Sequence, residues 1–312
     1  MGLRSVFLGT PTFAVPSLGA MVEAGCDVVT VYTQPDRPQG RGQQLGMSAV
    51  KAAAMELGIG VRQPERIRRA EEVEVLRALA PDVMVVVGYG QIIPQEIIDI
   101  PRLGIVNVHG SLLPKYRGAA PIQWAIANGE TETGVTTMQI NAGLDTGDML
   151  LKATTPIDPE ETAVELGERM SVMGAKLLVR TLDGLAAGKI VREAQDEKLA
   201  THAPILSKLD GAIDWSWPAL LIHDRTRGFY PWPGTSTVFR DQTLRIWKTR
   251  VIPERHELEH GRVLGNKGAV LVTCGQGTVL ELLEVQQEGR KRVSGADFRN
   301  GMRVVENEIL GA

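Results

Sequence analysis

The sequence predicts an α/β fold: a Rossmann-like, doubly wound, mostly parallel sheet, followed by a small C-terminal β-barrel of OB-like type. Three features predict it. Strand-like and helix-like segments alternate through the first half of the 312 residues. One of those strands, DVMVVVGYG (82–90), is apolar on both faces, as parallel strands covered by helices are. Beyond YPWPGT (230–235) the chain changes to short strands punctuated by glycine turns, a pattern that suits a small barrel.

Taken in order, SVFLGT (5–10) reads as the first buried strand. PTFAVPSLGAMVEAG (11–25) reads as an amphipathic helix closed by Gly25, and DVVTVYT (27–33) as the second strand. QPDRPQGRGQQLGMS (34–48) is rich in proline and glycine and is expected as a long loop. Helices follow at 49–58, ending on Gly58, and at 70–80, where Glu71 and Glu72 sit at the positive N-terminal end. After the strand at 82–90, further strands are expected at 103–109, 133–140 and 148–157. Asp158-Pro159 then starts a long helix over 160–188. KIVREAQDEKLATHAPIL (189–206) is polar and aperiodic and is expected as a linker between domains 1–188 and 207–312. The second domain opens with a helix at 217–229, followed by the strands STVFR, TLRIWKTRVI, GRVLG, GAVLVTCG and TVLELLEVQ.

Composition narrows the function classes. A net charge of −3 gives no global attraction to polyanions, although the C-terminal part is mildly basic. Cys26 and Cys274 are far apart and neither lies in a CxxC pair, so free thiols are expected, with no disulfide or zinc site. The N-terminus lacks the apolar core of a signal peptide, which points to a cytoplasmic protein. The first strand–helix turn is GTPTFA, not G-x-G-x-x-G, so the sheet carries no dinucleotide fingerprint.

The chemistry concentrates in NVHGSLLP (107–114). Asn107 and His109 are two residues apart at the end of a strand, so both project from one face. NAGLDTGDML (141–150) adds Asp145 in a glycine-flanked loop. An amide donor, an imidazole and a carboxylate suit transfer through a tetrahedral intermediate, with donors for its oxyanion and a partner that sets the imidazole's charge. No serine or cysteine occupies a nucleophile elbow, and one His with one Asp is thin for zinc, so neither covalent nor metal chemistry is suggested. Local sequence also allows a turn cap at Asn107, a satisfied core histidine at His109 and an Asx-turn at Asp145.

NVHGSLLPKYRGAAPIQWAI together with GVTTMQINAGLDTGDML resembles the folate-dependent formyltransferase family, and the similarity runs from FLGTP through YPWPGT. The resemblance implies that the formyl group of 10-formyltetrahydrofolate passes to an amine. Asn107 would donate to the formyl oxygen. His109 would stabilise the oxyanion and shuttle protons, and Asp145 would tune His109 and accept the amine's proton. Ser111, Leu112, Leu113 and Pro114 would line the folate site, with Gly88, Tyr89, Gln91 and Ile92 walling the pterin. Arg117 and Gly118 are read as shaping the PKYRG turn. Gly110 stands where tRNA-directed members more often carry alanine; HGS suits equally the branch that formylates nucleotide-linked amino sugars. The 34–48 loop, with Arg37 and Arg41, resembles the one with which tRNA-directed members reach an acceptor stem, implying initiator methionyl-tRNA as acceptor. Lys248 and Arg290 of the C-terminal domain would contact the tRNA. The alternatives are a nucleotide-linked amino sugar as acceptor, water in a hydrolase variant, or a nucleic-acid-binding module on an inactive α/β scaffold, which the intact Asn107, His109 and Asp145 trio counts against. A monomer without metal is expected.

Overall fold

Val6, Phe7 and Leu8 are fully buried because the first strand, β1 (Arg4–Gly9), lies inside a seven-stranded sheet. The computed structural model describes residues 2–39, 44–265 and 268–311. Strands β2 (Asp27–Tyr32), β3 (Arg37–Gln39), β4 (Gln44–Gly46), β5 (Val61–Arg62), β6 (Val83–Val87), β7 (Ile105–His109), β8 (Glu132–Gln139) and β9 (Met149–Pro156) follow along the chain. The large sheet has the order β5-β2-β1-β6-β7-β8-β9. Its pairs from β5 to β7 are parallel, and β8 runs antiparallel to β7. This is the expected Rossmann-like, mostly parallel sheet.

Helices α1 (Val15–Glu23), α2 (Ala49–Glu56), α3 (Ala70–Leu79), α4 (Gln95–Ile98), α5 (Pro121–Ala127) and α6 (Ala163–Ala186) alternate with these strands. The long helix was expected from residue 160 but starts at Ala163. Glu165 accepts the Thr162 N–H at 2.8 Å, and the Thr162 hydroxyl faces the Glu165 N–H at 3.4 Å, a reciprocal cap that sets the first turn. Gly174 on α6 lets the helix approach the sheet: a Cβ there would lie 3.0 Å from Val108 Cγ1. The 34–48 segment is not wholly loop, since β3 and β4 form a hairpin pairing Arg37 with Gly46.

The C-terminal part contains α7 (Ala219–Gly228), then β10 (Thr235–Phe239), β11 (Gln242–Ile252), β12 (Val263–Leu264), β13 (Leu271–Cys274), β14 (Thr278–Gln287) and β15 (Val293–Ser294), and finally α8 (Gly295–Met302). Its strands form one antiparallel sheet, β10-β11-β14-β13-β12, with β15 on β14. A register shift at Trp247 bends β11. The final segment bridges the two sheet edges: Asn307 N–H donates to Val263 O and Gly311 N–H to Val238 O, both at 2.8 Å. Edge groups that would otherwise stand unpaired are covered in this way. Trp215, Phe239, Ile246, Leu280 and Phe298 belong to the core beneath.

Contacts divide the chain into two compact units, residues 1–118, 133–155 and 167–203, and residues 119–132, 156–166 and 204–312. The segment expected as a linker therefore lies mostly in the first unit. Met149 and Glu193 exchange backbone hydrogen bonds at 2.8 and 2.9 Å, and Arg117 and His202 form a bridge. Its lack of periodicity reflects partners that are distant in sequence. Among the described residues no helix is long and apolar enough to cross a membrane.

Candidate active site

Three parallel neighbours, β1, β6 and β7, bring their carboxyl ends, Gly9, Val87 and His109, to one edge of the sheet. The strand order reverses there, with β2 on one side of β1 and β6 on the other, and such switch points are where open α/β sheets bind ligands. On β7, Val106 and Val108 point to the face covered by α6. Asn107 and His109 point to the other face, opposite Met138 and Thr136 of β8. Both polar side chains are nearly enclosed, at 9% and 5% exposure. Buried polar groups at this depth require partners.

His109 Nε2 lies 2.9 Å from Tyr116 O, and a carbonyl can only accept, so Nε2 carries a proton. Nδ1 then faces Asp145 Oδ2 at 3.7 Å, beyond hydrogen-bond length but within ion-pair reach once the ring is protonated. Asn107 Nδ2 reaches Asp145 Oδ1 only at 3.4 Å. Asp145 Oδ2 accepts the Gly118 N–H at 2.9 Å. The three residues singled out from the sequence are thus together. Asp145 forms no Asx-turn with Gly147: its carboxylate crosses to Gly118, and Asn141 makes the local turn, accepting the Gly143 N–H at 3.0 Å.

The SLLP turn is pinned from β8. Thr136 Oγ1 donates to Ser111 O at 2.7 Å and accepts the Leu113 N–H at 3.1 Å. The Ser111 hydroxyl donates to Lys115 O at 2.6 Å, and Leu113 packs with Met138 and Met149. Leu112 and Pro114 are half-buried. Replacing Thr136 by Val is expected to strand the Leu113 N–H and destabilise the protein by about 1–3 kcal/mol. A lowered urea midpoint checks this; an unchanged midpoint would show the turn held by packing alone.

On the neighbouring loop, Gly88 is exposed with φ +58°, and a Cβ there would lie 2.8 Å from Pro11 Cγ. Tyr89 is only 1% exposed and packs in the core with Ile93 and Ile97, so its side chain sits behind the loop, and among the described residues its hydroxyl has no hydrogen-bond partner. Gln91 is committed to the fold at both ends of its amide, accepting the Ile67 N–H at 2.7 Å and donating to Pro64 O at 3.0 Å. Ile92 stands out at 88% exposure. A depression of about 400 Å³ lined by Gly104, Gln139, Asn141, Asp148 and Arg192 opens at the opposite, amino end of β7, away from His109. Among the described residues no group of three or more His, Cys, Asp or Glu side chains is placed to share a metal ion.

The basic residues fall on exposed surface. Arg37 lies on β3, Lys248 on β11 and Arg290 on the β14–β15 turn, and among the described residues none forms a salt bridge. Arg250 and Arg292, by contrast, are paired with Glu281 and Glu284. Arg41 lies outside the described residues. Sequence reasoning did not single out Thr136, or Gln195 and Glu197 in the expected linker. Their partners are nonlocal, so no local pattern marks them.

Residues 3–182 match the family model described as formyl transferase, and residues 205–303 match the formyl transferase C-terminal domain. The chain belongs to the formyl transferase family. Among curated relatives, it is 62% identical over 309 residues to a methionyl-tRNA formyltransferase of Solibacter usitatus, covering 99% of both chains. It is 49% identical to the methionyl-tRNA formyltransferase of Geobacter sulfurreducens, covering 99% of this formyltransferase and 97% of that one. Among solved structures, the N-formyltransferase of Helicobacter canadensis, in complex with folinic acid and dTDP-3-aminofucose, shares the fold. Its TM-score is 0.69 at 18% identity, covering 90% of this formyltransferase and 98% of that one.

Proposed function

We propose that this formyltransferase transfers the formyl group of 10-formyltetrahydrofolate to the free amino group of methionyl-initiator-tRNA. The product is N-formylmethionyl-tRNA for translation initiation, made in the cytoplasm by a monomer. The observation that carries the reading is the meeting of Asn107, His109 and Asp145 at the carboxyl edge of the sheet, in a chain 62% identical to a methionyl-tRNA formyltransferase over nearly its whole length. Residues 1–188, together with the segment 189–203 bonded to them, carry the catalysis, and residues 207–312 hold tRNA.

Transfer forms a bond from the amine nitrogen to the formyl carbon and breaks the one to the folate nitrogen, through a tetrahedral oxyanion. Asn107 donates an amide hydrogen to that oxygen; its contact to Asp145 Oδ1, long at 3.4 Å, is weak enough to yield to it. His109, anchored through Nε2 to Tyr116 O, works through Nδ1 and as imidazolium adds positive charge beside the oxyanion. Asp145 stabilises that imidazolium and accepts the proton the amine loses. The proton then leaves with the folate nitrogen, so charge balances. Folate is held by the main chain of Ser111–Pro114 and Gly88, and by exposed Ile92 against the ring. Tyr89 and Gln91 shape that loop from behind. Arg37, Arg41, Lys248 and Arg290 hold tRNA by charge.

The test is transfer of labelled formyl from 10-formyltetrahydrofolate to charged initiator methionyl-tRNA and, separately, to a nucleotide-linked amino sugar. Label is expected on the tRNA. Arg41→Ala should lower kcat/KM for tRNA about 10- to 100-fold, the worth of a lost arginine contact to nucleic acid, and leave folate binding unchanged. Label on the sugar alone would overturn the acceptor while keeping the catalytic trio.

A further inference from the structure

Asp145 has φ +52°, a left-handed conformation that aspartate adopts more readily than most non-glycine residues and that neighbouring groups hold here. Those groups come from two places. The turn Tyr116–Arg117–Gly118 touches both members of the ion pair: Tyr116 O holds His109 Nε2 at 2.9 Å, and Gly118 N–H holds Asp145 Oδ2 at 2.9 Å. Between them, Arg117 is 3% exposed, and its guanidinium is committed to the segment 193–203. Its Nε donates to Gln195 Oε1 at 2.9 Å, and its two terminal nitrogens fork onto Glu197 at 2.9 and 2.8 Å. Gln195 Nε2 in turn donates to two carbonyls of the catalytic loop, Asp145 O and Gly147 O, both at 2.8 Å. Every polar atom of the Gln195 amide is therefore used, and its orientation is set by Arg117, which can only donate to it.

The backbone repeats the connection. Arg117 N–H donates to Thr201 O at 2.9 Å, and Ala203 N–H donates to Arg117 O at 2.7 Å. Gly118 has φ +120°, and a Cβ there would lie 2.6 Å from Ala203 O, so the contact is too close for a side chain. Arg117 also holds the Glu197 carboxyl below the usual carboxylate range, as its forked hydrogen bonds to the charged form require.

We propose that Gln195 is a positioning residue for formyl transfer, and that Glu197, Arg117 and Gln195 form a clamp setting the His109–Asp145 geometry from the segment 193–203. This rests on the reading of Asp145 as part of the catalytic site. The clamp acts on the backbone of Asp145, while the Gly118 N–H acts on its carboxylate. Loss of Gln195 therefore frees the loop without removing any group that meets substrate.

The test compares Gln195→Ala, Gln195→Glu and Asp145→Asn in the full-length enzyme, by labelled formyl transfer across a pH series with thermal unfolding in parallel. Gln195→Glu keeps, and charges, the pairing with Arg117 but leaves both loop carbonyls without a donor. Both Gln195 variants should lose about 100-fold in kcat, the scale of a 1 Å misplacement, with KM for folate and tRNA within about threefold. The acid limb of the pH–rate profile should move in both. A structural role alone predicts the opposite for Gln195→Glu: retained kcat and an unmoved profile, with loss confined to the alanine variant in proportion to its instability. That result, with Asp145→Asn crippled, would overturn the clamp and keep the site. An active Asp145→Asn would overturn the reading of the site, and the clamp with it.

Discussion

Asp145→Asn is expected to lower kcat/KM for formyl transfer about a thousandfold, within the range that a positioned general base contributes. The substitution is nearly isosteric, and an amide oxygen can still accept the Gly118 N–H that holds Asp145 Oδ2 at 2.9 Å. What disappears is the negative charge 3.7 Å from His109 Nδ1. Without it the imidazolium loses its counter-charge inside a nearly closed site, and the amine's proton loses its acceptor. KM for the folate should change little if, as proposed, Asp145 acts on charge that develops only during transfer. His109→Ala should be similarly damaging, and the double variant little worse than the more damaging single one, since groups that act as a unit do not add. Labelled formyl transfer measures all three. A loss under tenfold in Asp145→Asn would mean that the proton leaves by another route.

Gly147→Ala is expected to cost at least about 3 kcal/mol of stability, at the upper end of overpacking effects, and most of the activity with it. A Cβ at this position would lie 1.8 Å from Gln139 O and 2.9 Å from Gln139 C, and both are backbone atoms that cannot swing aside. The loop would have to retreat from the end of β8, carrying Gly147 O away from Gln195 and shifting Asp145 two residues earlier. Thermal unfolding reads the first effect and kcat the second. An alanine variant with wild-type midpoint and kcat would show that the loop relaxes freely and that Asp145 is placed by the Gly118 contact alone.

The parts of this fold legible in sequence were those whose cause is local. DVMVVVGYG is apolar on both faces because every residue of β6 is buried, and LGIVNVH carries its polar pair on one face because side chains alternate along any strand. Helix α5 passed unremarked although Pro121 stands in its first turn and Gly129 just beyond it. So did α8, where the Ser294 hydroxyl accepts the Asp297 N–H at 3.0 Å. In both, a start signal was present but the helix is a turn or two long, too short for periodicity to register. The β3–β4 hairpin was hidden for the opposite reason: proline and glycine dominate its composition, and pairing between its two short strands overrides that preference.

By itself, the sequence determined the α/β class, the C-terminal β domain and the identity of the three polar groups, because periodicity, turn chemistry and residue type are written along the chain. Only the tertiary structure decided how those groups are held. That Nε2 of His109 is occupied by Tyr116 O, that Asp145 is in a left-handed conformation, and that a polar segment resembling a linker supplies Gln195 to secure it are contacts between residues 7 to 50 positions apart. Hydrogen bonds of that span depend on where the sheet delivers each loop, and no local pattern encodes that position.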